Sequence, residues 1–335
     1  MIPWKWKPGC WRCLILNAGN LYPSKRGGLG KGIHGKITSA SLRVVSRRWP
    51  DGSAVGQSPK DVFLRIGSSC LWVCADLHAD PNLYLFSDPD QLFSSPQCEI
   101  IKDQKKIKVG RVQLEIGGKA RRIYLKRYNV FSRRYQLGSL FFPSAASRSW
   151  AGAKILLGAG FHTGRPIAAV EHRSRGVLAK SFYLSEEIPG GKTVDVYWRE
   201  ELIPISGPEG FLRRRIFLKD LAVLFRSLHG RNIYHNDLKD ANIIVASGDT
   251  RPDRCFYLLD LEGIRKYRVL NRRRRIKNLV QLNRTMGTLL RASEKLYWLK
   301  VYLGKVFFDR RERRKWIKRV LEESARRDLR SLRKG

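Results

Sequence analysis

The sequence predicts an α+β chain in two lobes, an antiparallel sheet followed by a mainly helical part, and three observations carry that prediction. Between 61 and 125, short runs of β-branched and aromatic residues recur with turn residues between them. From 211 to 229, Phe217, Leu218, Leu221, Leu224, Phe225 and Leu228 fall on one helical stripe. Directly after it, a polar string at 234–242 meets the β-branched run Ile243-Ile244-Val245, and a second apolar run, Phe256 to Leu259, ends in Asp260. With 335 residues and 43% hydrophobic content, the chain can bury one two-lobed domain or two modest ones. The expected division is a basic, poorly ordered extension over 1–58, an N-lobe over 59–183 and a C-lobe over 184–335.

The extension contains no acidic residue before Asp51 and is rich in Gly, Ser, Lys and Arg. An organelle-type leader, or a start codon placed too far upstream, are the alternatives, although Pro3, Pro8 and the tryptophans suit a leader poorly. From Asp61 the expected strands are Val62-Phe63-Leu64, Leu71-Trp72-Val73, Tyr84-Leu85-Phe86, the alternating stretch 107–116 and Ile123-Tyr124-Leu125, which ends in Lys126. The stretch 148–158 is a helix candidate without a carboxylate. Phe182 to Glu187 reads as a strand running into a connection between the lobes, where Glu186 and Glu187 are equally ordinary surface charges. After Asp260, Gly263 is expected to let the chain turn sharply. A helix over 275–290 places Ile276, Leu279, Val280, Met286, Leu289 and Leu290 on a core stripe, with Asn278 and Arg284 off it and Asn283 at its margin. The last helices carry Trp316, Val320 and Leu321 among arginines, as a docking helix or, alternatively, an amphipathic membrane-surface element.

Charge bounds the partners. The chain has 66 basic against 29 acidic residues, a formal net charge of +37, and such a surface seeks polyanions, either nucleic-acid phosphates or an anionic membrane face. Single runs such as Arg272-Arg273-Arg274-Arg275 also fit a merely solvated face. The apolar runs fall short of the eighteen residues that cross a bilayer, and Lys5, Lys7 and Arg12 with one brief apolar stretch make a poor secretory signal. A cytoplasmic protein, peripheral at the inner face of the inner membrane, is expected. Six cysteines do not form a disulfide framework at this length and are expected to be free thiols. Cys10, Cys13, Cys70 and Cys74 admit a four-thiolate zinc site as the alternative, but Cys70 and Cys74 flank the apolar Leu71-Trp72-Val73, which favours core filling.

The chemistry lies in Tyr234-His235-Asn236-Asp237-Leu238-Lys239-Asp240-Ala241-Asn242 and Asp260-Leu261-Glu262-Gly263. Moving a phosphoryl group to a hydroxyl needs a carboxylate at the incoming oxygen, cations on the phosphates and metal ligands beside them. Asp237 suits the base, Lys239 the transferred phosphate, and Asn242 with Asp260 the metal. His235 suits a scaffold for the loop better than a base. Asp and Asn are also common turn and capping residues; the full His-x-Asp-x-Lys-x-x-Asn string, followed by a strand ending in Asp, has far fewer accidental sources.

At these residues the chain resembles the protein-kinase-like superfamily. Within it the chain is similar to the lipopolysaccharide core kinases that phosphorylate inner-core heptose or Kdo sugars. The nearer similarity rests on Ile123-Tyr124-Leu125-Lys126-Arg127-Tyr128-Asn129, Arg148-Ser149-Trp150 with Gly152, Asp260-Leu261-Glu262-Gly263, and Arg275-Ile276-Lys277-Asn278-Leu279-Val280-Gln281-Leu282-Asn283. The resemblance implies a two-lobed protein-kinase-like fold, ATP and Mg2+ as cofactors, Lys126 on the nucleotide's α and β phosphates, Glu186 at the adenine-reading hinge, and a lipid-linked saccharide acceptor. A lone lysine at a strand end usually faces solvent, so the Lys126 role depends on the downstream string. The pattern departs from protein kinases twice: 101–109 stands where a glycine-rich loop would lie, and the helix at 148–158 lacks the glutamate that usually pairs with the strand lysine. Another acid such as Glu171 then substitutes, or the nucleotide alone holds Lys126. A RIO-like or tRNA-associated kinase, and a pseudokinase that binds anionic lipid or RNA, are the alternative functions.

Overall fold

In the computed structural model, residues 61–77, 81–248 and 251–333 are described; the expected 1–58 extension, Cys10 and Cys13 lie outside them. The strands are β1 (Val62–Ile66), β2 (Ser69–Val73), β3 (Cys98–Gln104), β4 (Ile107–Ile116), β5 (Lys119–Asn129), β6 (Pro166–Ser174), β7 (Val177–Glu186), β8 (Lys192–Thr193), β9 (Ile233–His235), β10 (Ile243–Gly248), β11 (Arg251–Leu258) and β12 (Ile264–Lys266). The α-helices are α1 (Asp90–Phe93), α2 (Arg133–Gly138), α3 (Ala145–Gly158), α4 (Val194–Tyr197), α5 (Gly207–Gly230), α6 (Arg272–Arg284), α7 (Ala292–Leu303) and α8 (Arg310–Leu332).

Seven strands form one sheet in the order β1-β2-β6-β7-β5-β4-β3, every neighbouring pair antiparallel. Alternation drives this: Ile123 and Leu125 on β5 and Phe182 and Leu184 on β7 turn inward and are fully buried. The helix α3 covers the sheet with Trp150 and Leu156, also fully buried, and starts at Ser144, whose side chain accepts the backbone N–H of Ser147 at 3.0 Å. Below, α5 buries Phe217, Leu218, Leu221 and Phe225, which bears out the helix expected at 211–229. Trp298 and Tyr302 of α7 stack at 5.4 Å, and Tyr302 meets Trp316 of α8 edge-on. Trp316 is buried, so α8 docks through it, while Leu321, Leu329 and Leu332 remain exposed.

Two expectations fail locally. Tyr84-Leu85-Phe86 is not a strand but part of a 3-10 stretch, Pro81–Ser87; a three-residue apolar run carries too little period to separate the two. The helix expected over 275–290 ends at Arg284, and a 3-10 turn, Met286–Thr288, follows. Gly287 allows that turn to fold back, since a Cβ there would lie 2.8 Å from the Asn283 side chain.

Candidate active site

The segment after α5 forms β9 and then a loop whose residues are fixed one by one. His235 is buried. Its Nε2–H donates to the carbonyl of Leu259 at 2.7 Å, and its Nδ1 accepts the backbone N–H of Asp237 at 3.1 Å. Those partners assign the tautomer. Burial chiefly holds the ring below its ordinary pKa, so it stays neutral. With both nitrogens on the backbone, His235 ties the loop to the strand end that carries Asp260 and is no free base.

Asp237 gathers three neighbours. Asn242 Nδ2 donates to its carbonyl at 2.7 Å and its Oδ2 at 3.1 Å, Gln281 Nε2 reaches Oδ1 at 3.3 Å, and Lys239 Nζ lies 2.9 Å from Oδ2. Asp237 and Lys239 remain partly exposed at 39% each, open to a ligand.

On the facing strand, Lys126 of β5 donates from Nζ to Asp260 Oδ1 at 2.7 Å. Burial by itself lowers the lysine's pKa, but Tyr128 and then Asp260 outweigh it and hold the ammonium above its ordinary value. Burial would likewise raise Asp260, and Lys126 overrides it, so the carboxyl titrates below its usual range. The lysine's acidic partner is therefore Asp260. Glu171 instead accepts from Arg173 at 2.9 Å, so the suggested substitution by Glu171 does not occur. Nor is Lys126 left to a nucleotide alone.

The turn after Asp260 also differs from expectation. Asp260 itself adopts the left-handed conformation, φ 55 and ψ 56, one of the few positive-φ non-glycine residues among the described residues. Gly263 serves close approach: a Cβ there would sit 2.8 Å from Asn236 Cβ. Gly152 on α3 does the same from above, where a Cβ would come within 2.2 Å of the Leu261 carbonyl oxygen. The two glycines press α3, the 261–263 turn and the Asp237 loop together.

Glu186 closes β7 and pairs with arginines rather than with any residue of this cluster. Its carboxylate pairs with Arg121 and with Arg165 Nη1, the latter at 3.1 Å, and its N–H donates to the carbonyl of Arg165 at 2.8 Å. In the place of a glycine-rich loop, β3 and β4 form a hairpin whose turn carries Lys105 and Lys106.

Sequence reasoning missed the polar floor of the loop. Asn278 of α6 is fully buried; its Nδ2 donates to the carbonyl of His235 at 2.6 Å and to Gln281 Oε1 at 2.8 Å, and its Oδ1 accepts from His229 Nε2 at 3.1 Å. His229 Nδ1 in turn accepts from the Tyr302 hydroxyl at 2.8 Å. Gln281 receives the N–H of Leu238 at 3.2 Å and donates to the carbonyl of Asn236 at 2.6 Å. Asn278 and Gln281, three apart and both polar on a helix pressed into the core, were the available signal.

A carboxylate held beside a lysine and an amide, opposed by a second lysine–carboxylate pair at a strand end, and set between an antiparallel sheet and a helical lobe, defines a phosphotransferase of the protein-kinase-like fold. A family model described as the lipopolysaccharide kinase (Kdo/WaaP) family matches residues 96–302, and the chain belongs to that family, a family of kinases. Among solved structures, one titled WaaP in complex with acyl carrier protein has a TM-score of 0.52 and 18% identity, covering 72% of this chain and 97% of that one, which establishes the shared fold. A search of curated proteins finds no match.

Proposed function

We propose that the chain transfers the γ-phosphate of ATP, with Mg2+, to a heptose or Kdo hydroxyl of the lipopolysaccharide inner core or a related lipid-linked saccharide. The observation that carries this reading is the placement of the Lys126–Asp260 pair and the Asp237–Lys239–Asn242 cluster on two segments joined by His235. Asp237 takes the acceptor hydroxyl's proton as that oxygen bonds to the γ-phosphorus and the bond to the bridging oxygen of ADP breaks. Lys239 stabilises the charge on the transferred phosphoryl group, and Lys126 meets the α and β phosphates. The backbone of the stretch after β7, steadied by Glu186 through Arg121 and Arg165, reads the adenine edge.

Asn242 spends Nδ2 on Asp237, leaving its oxygen, and Asp260 offers a carboxylate. Two hard oxygen donors suit Mg2+, which keeps waters and takes phosphate oxygens. Among the described residues no three His, Cys, Asp or Glu side chains cluster to hold a metal, so these two would be the protein's share. The ion would neutralise phosphate charge.

Among the described residues no helix is long and apolar enough to cross a membrane. Contact with an anionic membrane face is supported by the +37 charge and by Leu137, Leu140, Phe141 and Phe142, all exposed in a short segment beside Arg133 and Arg134.

The test is acceptor class. Purified protein, Mg2+ and radiolabelled ATP are offered lipid-linked inner-core saccharide, and the label is expected in the saccharide. Label that enters only protein or RNA-associated substrates would overturn the saccharide reading.

A further inference from the structure

Beside Asn236, the residue before Asp237, opens a polar cavity of about 450 Å³. Its walls include Arg148 of α3, Tyr234 of β9, Glu262, Arg265 of β12 and Tyr267. Two guanidiniums from separate elements therefore line one space. Arg148 Nη1 donates to the carbonyl of Pro143 at 2.7 Å, and its Nη2 lies 3.6 Å from Glu262 Oε2. Arg265 Nη1 donates to the carbonyls of Glu262 and Ile264 at 3.0 and 2.7 Å. Among the described residues, Arg265 Nε and Nη2 have no protein acceptor.

The charges are out of balance in a way that invites an anion. Burial, and next the charge of Arg148, hold Arg265 below its ordinary pKa. Two guanidiniums thus face a single carboxyl, Glu262, across the cavity. Lys277, which donates to Asn236 Oδ1 at 2.8 Å, and Arg274, 4.0 Å over the Tyr267 ring, add positive charge next to the walls.

We propose that this cavity is the acceptor's anion subsite, in which Arg148 and Arg265 hold a carboxylate or phosphate of the saccharide while the hydroxyl to be phosphorylated lies at Asp237. The inference rests on the kinase reading above and narrows it. A planar guanidinium with unused N–H groups matches a carboxylate or phosphate edge. Gln281 Nε2 reaches both the Asn236 carbonyl at 2.6 Å and Asp237 Oδ1 at 3.3 Å, so an anion beside Asn236 and a hydroxyl at Asp237 belong to one sugar or two neighbours. A sugar acid such as Kdo supplies both on one ring, whereas a neutral heptose qualifies only if a phosphate is already nearby.

The test reads binding without turnover, using the full chain. Free Kdo, its carboxamide and inorganic phosphate are titrated calorimetrically against wild type, Arg265→Gln and Arg148→Gln, with thermal melts to confirm folding. Kdo should bind saturably and the carboxamide about tenfold or more weakly, and each substitution should weaken Kdo by a similar factor. If phosphate binding depends on the two arginines while acid and carboxamide do not differ, the anion is a phosphate and the subsite stands. If neither anion's binding depends on Arg148 or Arg265, the subsite is overturned. Should Arg265→Gln fail to fold, Arg148→Gln and the acid–carboxamide comparison in wild type decide the matter. Failure of phosphotransfer with intact Kdo binding would count against the catalytic reading and leave this site in place.

Discussion

Asn278 Nδ2 donates to the backbone carbonyl of His235 at 2.6 Å, so a fully buried amide on α6 sets the position of a loop more than forty residues upstream. Replacing it with Leu leaves the His235 carbonyl and the buried His229 Nε2 without this partner, while Gln281 Oε1 keeps only the N–H of Leu238. The expected cost is about 3 kcal/mol of stability, with kcat reduced and the KM for ATP little changed. Urea denaturation and steady-state kinetics check both parts; unchanged stability would remove Asn278 as the floor of the loop.

The same network gives a pH dependence. Burial chiefly, and Arg275 in addition, depress His229 to about 4 despite its bond to Asn278, against roughly 6.5 in an unfolded chain. A histidine depressed on folding contributes stability that is fully present above the unfolded value and lost as pH falls through the folded one, here roughly 3 kcal/mol between about pH 6.5 and 4. In His229→Gln the slope of stability against pH over that window should be shallower than in wild type. Equal slopes would show that His229 does not carry it.

Gly152→Ala should separate α3 from the 261–263 turn, because its Cβ would meet the Leu261 carbonyl at 2.2 Å, where only backbone can yield. Overpacking of this kind costs roughly 1–3 kcal/mol. Because Asp260 immediately precedes that turn, activity should fall further than stability explains. An alanine variant with wild-type melting and turnover would contradict the close approach.

How much of this was legible in the sequence follows from what each signal depended on. The helix at 211–229 and the alternating strand at 107–116 rested on sustained periodicity and were borne out, whereas three-residue runs carried no period and went either way: Ile123-Tyr124-Leu125 lies in β5, and Tyr84-Leu85-Phe86 folded as a 3-10 turn. The Asp237 string was visible because its spacing is local. Pairing of Lys126 with Asp260 was not, since it joins residues 134 apart, and the helix that follows the strand lysine, α3, carries no carboxylate. Asn278 and Gln281 lie on a helix of which only the apolar stripe is legible; their polar role depends on three-dimensional contacts with backbone that no periodicity reports.

Lys126→Ala removes both the proposed phosphate contact and the cation beside Asp260. ATP affinity, measured with and without Mg2+, should weaken about tenfold or more. No change in affinity or rate would mean that the strand lysine is misassigned and would direct attention to Lys105 and Lys106 at the β3–β4 turn.

With +37 formal charges, the protein should bind anionic vesicles and not zwitterionic ones. Added salt should release it, because screening acts over roughly 8 to 10 Å at moderate ionic strength. Co-sedimentation with tRNA as competitor checks this. Tight tRNA binding without vesicle binding would favour an RNA-associated kinase.

The most direct measurement compares wild type with Asp237→Asn for transfer of phosphate from Mg2+-ATP to a lipid-linked Kdo or heptose acceptor, with melting curves showing both proteins folded. The amide keeps the size of the carboxylate but cannot take the acceptor's proton, so the rate should fall about 10²- to 10⁴-fold with melting preserved. A folded Asp237→Asn protein that turns over near the wild-type rate would contradict the assignment of this loop as the catalytic centre.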